Sequence, residues 1–215
     1  MKLISVNVGL PREVAAQGRV VRTSIWKDPV EGLVHVSSLN LDGDKQSDLS
    51  VHGGPDKAVY AYPCEHYEYW RRELPATDLA WGTFGENLTT EGLLESDIRI
   101  GDRIRVGSAE FLVTQPRMPC FKLGVRFGRD DMVKRFLRSG RPGFYLAVVR
   151  EGEVARGNVI EFVGRDEHGI TVADIASLYA RDRDNEDLLR RAVDVPALPE
   201  SWKGYLRKRL FEPDE

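Results

Sequence analysis

Short strand-like segments separated by glycine-containing turns fill the first 163 residues, and they restrict the folds open to this chain. "KLISVNVG" from residue 2 and "RVVRTSIW" from residue 19 are rich in β-branched residues, and "GLVHVSSLNL" follows from residue 32. Many short strands with such turns favour a closed or nearly closed β-barrel over a parallel α/β sheet. We therefore predict a mainly β fold with a few helices.

Two β-hairpins are predicted in the second half of this region. In "DRIRVGSAEFLVTQ", Ile104 and Val106 alternate with arginines before a turn at Gly107-Ser108. "GFYLAVVREGEVARGNVIEFVG" reads as a second hairpin that turns at Glu151-Gly152.

Two helices interrupt the strands. "PCEHYEYWRREL" begins at Pro63 and places Tyr67, Trp70 and Leu74 on one face. In this helix we expect Cys64 to pack in the core and His66 to lie on the surface. "DDMVKRFLRSG" starts with acidic residues, repeats apolar residues at helical spacing and ends near a glycine.

The pattern becomes helical after residue 170. "TVADIASLYARD", "NEDLLRRAVDV" and "PESWKGYLRKRLF" are three helical segments with short connections, and Thr171 and Asn185 are candidate N-caps. These segments predict a small three-helix domain after the barrel.

Composition and charge exclude several functional classes. The net charge is −3, and residues 166–215 hold eight Lys/Arg against twelve Asp/Glu, a net charge of −4, so nucleic acid is not an expected partner. No apolar run is long enough to span a membrane, and the first residues lack the apolar run of a signal peptide, so we expect a cytoplasmic protein. Two cysteines are too few for a disulfide scaffold.

The loop "GDKQSDLSVHGGPDKAVYAYP", residues 43–63, is the first candidate for chemistry. Gly53 and Gly54 permit backbone conformations that turn N–H groups toward an anion, and His52, Asp56 and Lys57 add charge and hydrogen bonds. A tight turn is the alternative for "HGGP" alone.

A second candidate is "GTFGENLTTEGL", residues 82–93. Glu86, Asn87, Thr89 and Thr90 can form hydrogen bonds with a flat polar heterocycle, but the same residue types also build ordinary turns. "SGRPGFYLAVV" adds Arg141, which is a candidate anion contact or a surface arginine.

The third candidate, "QPRMPCFK" at residues 115–122, presents one thiol in a stiff loop. Pro116 and Pro119 fix the backbone before Cys120, and Arg117 and Lys122 favour its thiolate over its thiol. The residues alone leave two interpretations open, since free cysteine also packs well in protein cores.

Three of these segments together resemble the MOSC domains, named after the C-terminal part of molybdenum cofactor sulfurase. They are "DLSVHGGPDKAVYAYPCEHYEYW", "FGENLTTEGLLESDIRIGDRIRVG" and "VTQPRMPCFKLG", and the final helices resemble the three-helix domain of the YiiM type. The resemblance implies a MOSC β-barrel domain over residues 1–165, with its motif-bearing core at about 30–165. A small three-helix domain over residues 166–215 follows.

The resemblance also implies a cofactor and a set of site residues. The cofactor is the molybdenum cofactor, a pterin dithiolene with molybdenum and a phosphate, and Cys120 would ligate the metal as a soft thiolate. Pyridoxal phosphate binding is a further property associated with the family. The implied cofactor-binding residues are His52, Gly53, Gly54, Asp56, Lys57, Glu86, Asn87, Thr89, Thr90, Arg117 and Arg141.

The activity implied by the YiiM type is reduction of N-hydroxylated compounds, such as N-hydroxylated purine bases, to amines, with the metal as oxygen acceptor and electron relay. The sequence contains no flavin, haem or iron–sulfur motif, so we expect a separate electron-donor reductase as a partner. No nucleic-acid or membrane partner is expected, and a homodimer is left open.

Three alternatives remain at this level. Cys120 could serve a non-catalytic carrier of the cofactor or of persulfide sulfur. It could act with His52 as a hydrolytic nucleophile. The helical tail could also be an interaction module for a protein partner.

Overall fold

The computed structural model of this protein describes residues 1–16, 18–47 and 53–211. Within these ranges the chain forms twelve strands, six helices and a short 3-10 turn at Pro55–Lys57. The strands are β1 Lys2–Val8, β2 Arg12–Ala16, β3 Arg19–Thr23, β4 Asp28–Val30, β5 Val34–Val36, β6 Val59–Pro63, β7 Leu88–Glu91, β8 Arg103–Val106, β9 Ala109–Pro116, β10 Phe144–Arg150, β11 Gly152–Val154 and β12 Ile160–Gly164. The helices are α1 Glu65–Glu73, α2 Phe121–Phe127, α3 Met132–Ser139, α4 Val172–Ala180, α5 Glu186–Val193 and α6 Glu200–Phe211.

One curled sheet of eight strands forms the body of the molecule, in the order β12-β8-β9-β10-β6-β7-β1-β4. Its neighbours are antiparallel except for β6 and β7, which are parallel. The strand ladder is not continuous around the sheet, but the start of β1 reaches the segment before β12: the Leu3 N–H donates to the Asn158 carbonyl at 2.9 Å. The predicted mainly β, nearly closed architecture is therefore confirmed.

The first predicted hairpin, β8–β9, is confirmed. Val106 pairs with Ala109 across the Gly107-Ser108 turn. Ile104 and Val106 are buried, whereas Arg105 forms an exposed ion pair with Glu161 on the neighbouring strand. This inside–outside alternation is the period of two that the sequence shows.

The second predicted hairpin is wrong. β10 pairs with β9 and β6 in the large sheet, whereas β11 leaves that sheet and pairs with β5. Gly152 lies close to the β8–β9 turn, since a Cβ added there would be 2.6 Å from the backbone of Ser108. This close approach carries the chain across the β8–β9 turn, where the Ser108 N–H donates to the Glu153 carbonyl at 3.0 Å.

Helix α1 lies over an aromatic core beside the sheet. Tyr67, Trp70 and Leu74 are buried as predicted, and the Trp70 indole N–H donates to the Tyr62 hydroxyl at 2.7 Å. The Phe84 ring packs against Tyr62, Tyr67 and Trp70, with its centroid 4.9 Å from that of Tyr62.

The expected surface position of His66 is wrong. His66 is 8% exposed, and its Nε2 lies 2.7 Å from a carboxylate oxygen of Glu95. Glu95 also accepts the Gly143 N–H at 2.7 Å, so the pair joins α1 to the start of β10. Cys64 is half-buried at the N-terminal end of the same helix.

The last three helices form as predicted and share one hydrophobic core with the sheet. Thr171 caps α4 through a reciprocal pair of hydrogen bonds with Asp174, and Asn185 caps α5 by accepting the Leu188 N–H. Apolar residues of α4, α5 and α6 join the same buried cluster as the strands, and α4 packs against β9. Within the described part of the chain, no helix combines the length and the apolar character needed to cross a bilayer.

Candidate functional site

Cys120 lies between the end of β9 and the start of α2. Its backbone is extended, and its carbonyl accepts the Leu123 N–H at 2.9 Å, which begins the helix. Upstream, the Arg117 N–H donates to the Gly143 carbonyl at 3.3 Å. The loop is thus fixed at both ends, and the half-buried thiol is held where two clefts meet.

The first of these, called here the cationic cleft, opens at the mouth of the barrel. Its charged lining consists, among the described residues, of Lys27, Lys45, Lys57, Arg117 and Lys122 against a single acidic residue, Asp44. Five cationic side chains around one carboxylate make a strongly positive surface beside Cys120, which suits an anionic ligand.

The second, called here the aromatic cleft, lies between the barrel and the three-helix domain. Tyr145, Tyr179, Trp202 and Tyr205 supply its rings. Cys120, Lys57, Met118 and Tyr145 line both clefts. The thiol therefore stands at the boundary between a charged compartment and an apolar one.

A buried ion pair forms the floor of the cationic cleft. Lys27 Nζ donates to Asp44 Oδ1, and the same carboxylate accepts the Gly9 N–H at 2.8 Å and the Asn87 amide at 2.9 Å. Lys27 and Asp44 are each about 8% exposed. Burial lowers the pKa of Lys27, and the interaction with Asp44 opposes that shift.

Arg117 is held rigidly on the opposite wall. Its Nη1 donates to the Phe84 carbonyl at 2.9 Å, and its guanidinium lies 4.8 Å from the ring centroid of Tyr60. Burial raises the pKa of Tyr145, which faces the same guanidinium, so its phenol keeps its proton through the neutral range. Arg117 and Tyr145 both interact electrostatically with Cys120.

Two further cations are partly desolvated in this wall. Lys122, in the first turn of α2, is 9% exposed. Lys57 ends the 3-10 turn, and burial lowers its pKa against the opposing effect of Asp56. Beside them, the buried hydroxyl of Ser24 has no hydrogen-bond partner within the described ranges, as expected of a donor that a ligand satisfies.

Of the loop predicted to bind an anion, the structure describes residues 43–47 and 53–63. Gly54 has φ of 96°, and its N–H donates to the Gln46 amide oxygen at 3.3 Å. The Asp56 carbonyl accepts the Thr114 hydroxyl at 2.7 Å, and Asp56 is exposed. Gly53 is described next to them, whereas His52 lies outside the described residues.

The structure separates the four predicted heterocycle contacts of residues 86–90. Asn87 lines the cationic cleft. Glu86 is fully buried behind the cleft wall, where it accepts hydrogen bonds from Tyr67 and from the Gly82 N–H at 2.8 Å, and burial raises its pKa. Thr89 donates to Glu86 at 3.0 Å.

Thr90 and Arg141 also lie away from the thiol. Thr90 is 1% exposed on β7, and its hydroxyl has no partner among the residues that the structure describes. Arg141 lies in another surface depression, with its guanidinium 4.1 Å from the ring centroid of Tyr69 and a 2.8 Å hydrogen bond to the Ser139 carbonyl. Neither residue lines the two clefts beside Cys120, and their role as cofactor contacts stays a prediction.

Sequence reasoning missed most of the cleft floor. Thr23, Ser24 and Lys27 come from the end of β3 and the segment that follows it, and Tyr145 comes from β10. A lysine in "SIWKDP" has no local pattern that separates it from a surface lysine. Its partner Asp44 is 17 positions away, so only the fold reveals the pair.

The residues present fit the molybdenum cofactor. That group carries a phosphate and a dithiolene-bound metal, and it would need cations, hydrogen-bond donors and one soft ligand. Lys27, Lys122, the Ser24 hydroxyl and the Cys120 thiol supply these in one cleft. Among the described residues, no group of three or more His, Cys, Asp or Glu side chains is placed to hold a metal ion.

Comparison with known proteins identifies both parts of the chain. Residues 48–161 match the MOSC domain, and residues 170–211 match the YiiM-like three-α-helix domain. The protein YflK of Bacillus subtilis is 40% identical over 96% of this chain and 93% of its own length. Protein YiiM of Escherichia coli is 37% identical over 87% of this chain and 84% of its own length.

A fungal protein and a crystal structure extend the comparison. A protein of Gibberella moniliformis named "Reductase" is 31% identical over 90% of this chain, which matches 35% of its length. The crystal structure of YiiM from Geobacillus stearothermophilus superposes with a TM-score of 0.81 at 34% identity, covering 97% of this chain and 98% of that one. This chain therefore belongs to the MOSC-domain family, in the form that carries the YiiM-like three-helix domain.

Proposed function

We propose that this protein binds the molybdenum cofactor in the cationic cleft and reduces N-hydroxylated compounds, N-hydroxylated purine bases among them, to amines. The electrons come from a separate reductase. The observation that carries the proposal is the position of Cys120, a soft ligand at the boundary between a cationic cleft for an anionic cofactor and an aromatic cleft for a substrate. The fungal relative named "Reductase" supports the same class of activity.

The reaction balances as a two-electron reduction. An N-hydroxylated amine takes up two electrons and two protons, its N–O bond breaks, and the amine and one water form. When bound, the cofactor supplies the two-electron and oxygen-transfer chemistry. The electron donor is an external redox protein, and the protons come from solvent through groups beside Cys120.

The chain contributes binding, orientation and protons. Lys27 and Lys122 would bind the anionic part of the cofactor, and the Cys120 thiolate would ligate its metal. Lys57 and Tyr145 line both clefts, so the ammonium and the phenol hold protons next to the N–O bond of a bound substrate. The raised pKa of Tyr145 keeps that phenol protonated at neutral pH.

Turnover by the purified protein tests this proposal. Protein prepared anaerobically from a cofactor-producing host is mixed with an N-hydroxylated purine and chemically reduced viologen as the electron source, and the amine product is quantified. We expect amine formation by the wild type and by Cys64→Ser, and its loss in Cys120→Ser. Metal-loaded wild type that forms no amine would instead assign the protein to the cofactor carriers.

A further inference from the structure

The β2–β3 hairpin stands apart from the large sheet, on the rim of the cationic cleft. Among the described residues, its two strands pair only with each other. The chain that leaves the hairpin enters the cleft wall at once, because Thr23, Ser24 and Lys27 line the cleft. A two-stranded hairpin is only marginally stable in water by itself, so a partner that covers it also stabilises it.

One face of this hairpin is uncovered. The register pairs Glu13 with Arg22 and Ala15 with Val20, which places these four residues on the same face. All four are exposed, and Val20 is 70% exposed. This face is therefore available to another molecule.

Trp26 joins the base of the hairpin to α2. The guanidinium of Arg12 lies 4.4 Å from the Trp26 ring centroid, and that of Arg126 lies 5.6 Å from it. Burial lowers the pKa of Arg126, and the charge of Arg12 acts in the same direction. The Nε of Arg126 is buried without a hydrogen-bond partner in the described part of the chain. Two cations thus share one indole, and one of them has an unsatisfied donor.

The arginines of this surface differ from many others of the chain, which have carboxylate partners. Arg105, for example, pairs with Glu161 at 2.9 Å. Four arginines around the hairpin form no ion pair with a carboxylate of the described residues, and with two apolar neighbours they define a surface called here the hairpin patch: Arg12, Arg19, Arg22, Arg126, Val20 and Trp26. The acidic residues of positions 10–30 are Glu13 and Asp28, so the patch is positively charged and fits an acidic surface.

The position of the patch suits electron delivery. Helix α2, which carries Arg126, begins directly after Cys120, and its first residue, Phe121, is 57% exposed. A protein seated on the patch therefore lies at the rim of the cleft proposed to hold the cofactor. Electron transfer weakens steeply with distance, and electron-transfer complexes use small interfaces whose charges steer the encounter.

We propose that the hairpin patch is the docking site of the external electron donor, and that this donor is a small redox protein with an acidic surface around its redox centre. The inference rests on the proposed function and adds to it the charge of the partner and its place of contact. Breaking one N–O bond consumes two electrons and two protons. Two one-electron donors are therefore oxidised for each amine formed.

Titration with oxidised flavodoxin, an acidic and diamagnetic flavin protein, tests the docking site by NMR. The protein purified from a cofactor-producing host is labelled with ¹⁵N, and the indole N–H resonances of Trp26 and Trp202 are assigned by their absence in Trp26→Phe and Trp202→Phe. We expect flavodoxin to shift the Trp26 resonance saturably at low ionic strength. The shift should vanish in about 1 M salt, where the Debye length is about 3 Å. The Trp202 resonance, from the aromatic cleft, should stay in place.

Charge reversal separates the patch from the overall charge of the protein. Arg12→Glu/Arg19→Glu should weaken flavodoxin binding about tenfold or more. Arg190→Glu/Lys208→Glu makes the same change in net charge on exposed residues of the three-helix domain and should bind like the wild type. If the first variant fails to fold, Arg12→Gln/Arg19→Gln should still weaken binding.

Three results would overturn the proposal. One is a Trp26 resonance that flavodoxin does not move, and another is equal affinity in the folded patch and control variants. The third is a Trp26 shift that depends on the concentration of the protein alone, which would assign the patch to contact with a second copy of this chain.

Kinetics separate this inference from the proposed function. In Arg12→Glu/Arg19→Glu, kcat/KM for reduced flavodoxin as electron donor should fall about tenfold, whereas turnover with reduced viologen stays unchanged. Equal loss with both donors would overturn the docking site but leave the reductase intact. Salt-dependent flavodoxin binding in metal-loaded protein that forms no amine with viologen would support the docking site and contradict the reductase.

Discussion

The indole Nε1 of Trp202 and the side-chain oxygen of Gln115 form a buried hydrogen bond of 2.8 Å across 87 positions of the chain. This bond joins the last helix to the strand that leads into the Cys120 loop. It makes the three-helix domain part of the site rather than a separate appendage. The hydrophobic core that these helices share with the sheet also joins the three-helix domain to the sheet.

Trp202→Phe is expected to destabilise the protein by about 1–3 kcal/mol, since it leaves the buried oxygen of Gln115 without its donor. Urea unfolding at constant m-value measures this change in the free energy of unfolding. Lys208→Ala is the matched control on the same helix. A Trp202→Phe protein as stable as the control would show that the bond does not hold the domain in place.

The Lys27–Asp44 pair gives a second prediction. Lys27→Met leaves the Asp44 carboxylate buried with only the Gly9 and Asn87 donors, so we expect a loss of about 3 kcal/mol in unfolding free energy. The same change removes a cation from the cofactor cleft and should lower cofactor retention. Lys45→Met, at an exposed cation of the same cleft, is the control for stability. A Lys27→Met protein within 1 kcal/mol of that control would contradict the buried-pair assignment.

Glu86 predicts a pH dependence of stability. Burial raises the pKa of Glu86 in the folded protein above its value in the unfolded chain. At a pH between these two pKa values, the folded state therefore binds more protons than the unfolded state. Stability from this group is therefore present below the unfolded pKa, near 4.5, and is lost as pH rises through the folded pKa.

Comparison with Glu86→Gln isolates this effect. The variant loses stability at all pH values, because its amide N–H₂ faces backbone donors such as the Phe84 N–H. The advantage of the wild type over the variant should nevertheless shrink as pH rises from 4 to 7. Chemical unfolding at several pH values measures it, and an advantage that grows with pH would contradict the raised pKa.

The two cysteines should react differently. Burial and the neighbouring Glu65 raise the pKa of Cys64 to about 12, so only about 10⁻⁴ of this thiol is ionised at pH 8. Cys120 lines two clefts beside Arg117 and Lys122. We expect iodoacetamide to modify Cys120 well before Cys64, as followed by peptide mass spectrometry. Faster modification of Cys64 would contradict the environments described for both thiols.

Local patterns in the sequence predicted the local structure well. The β8–β9 hairpin depends on alternation and on a turn at Gly107, and the capping of α4 depends on Thr171 and Asp174, all of them close in sequence. The prediction of the second hairpin was wrong because β11 pairs with β5, a strand that is distant in sequence. No residue near β11 indicates that pairing. Short-range patterns specify elements, whereas strand partners depend on the whole sheet.

Sequence analysis identified those cleft residues that lie in recognisable motifs. Cys120, Arg117 and Lys57 came from stretches with unusual proline and glycine content, and the structure brings all three to one cleft. Lys27 and the buried His66 were missed or misplaced, since their partners Asp44 and Glu95 lie 17 and 29 positions away. A buried charge is recognised only together with its partner.

The metal content of the purified protein tests the central claim most directly. Wild type, Cys120→Ser and Cys64→Ser are purified anaerobically from a cofactor-producing host, and molybdenum is measured per protein chain. We predict near-stoichiometric molybdenum in the wild type and in Cys64→Ser, with most of it lost in Cys120→Ser. Equal molybdenum in all three proteins, or none in any of them after addition of free cofactor, would contradict the assignment of Cys120 as the metal ligand.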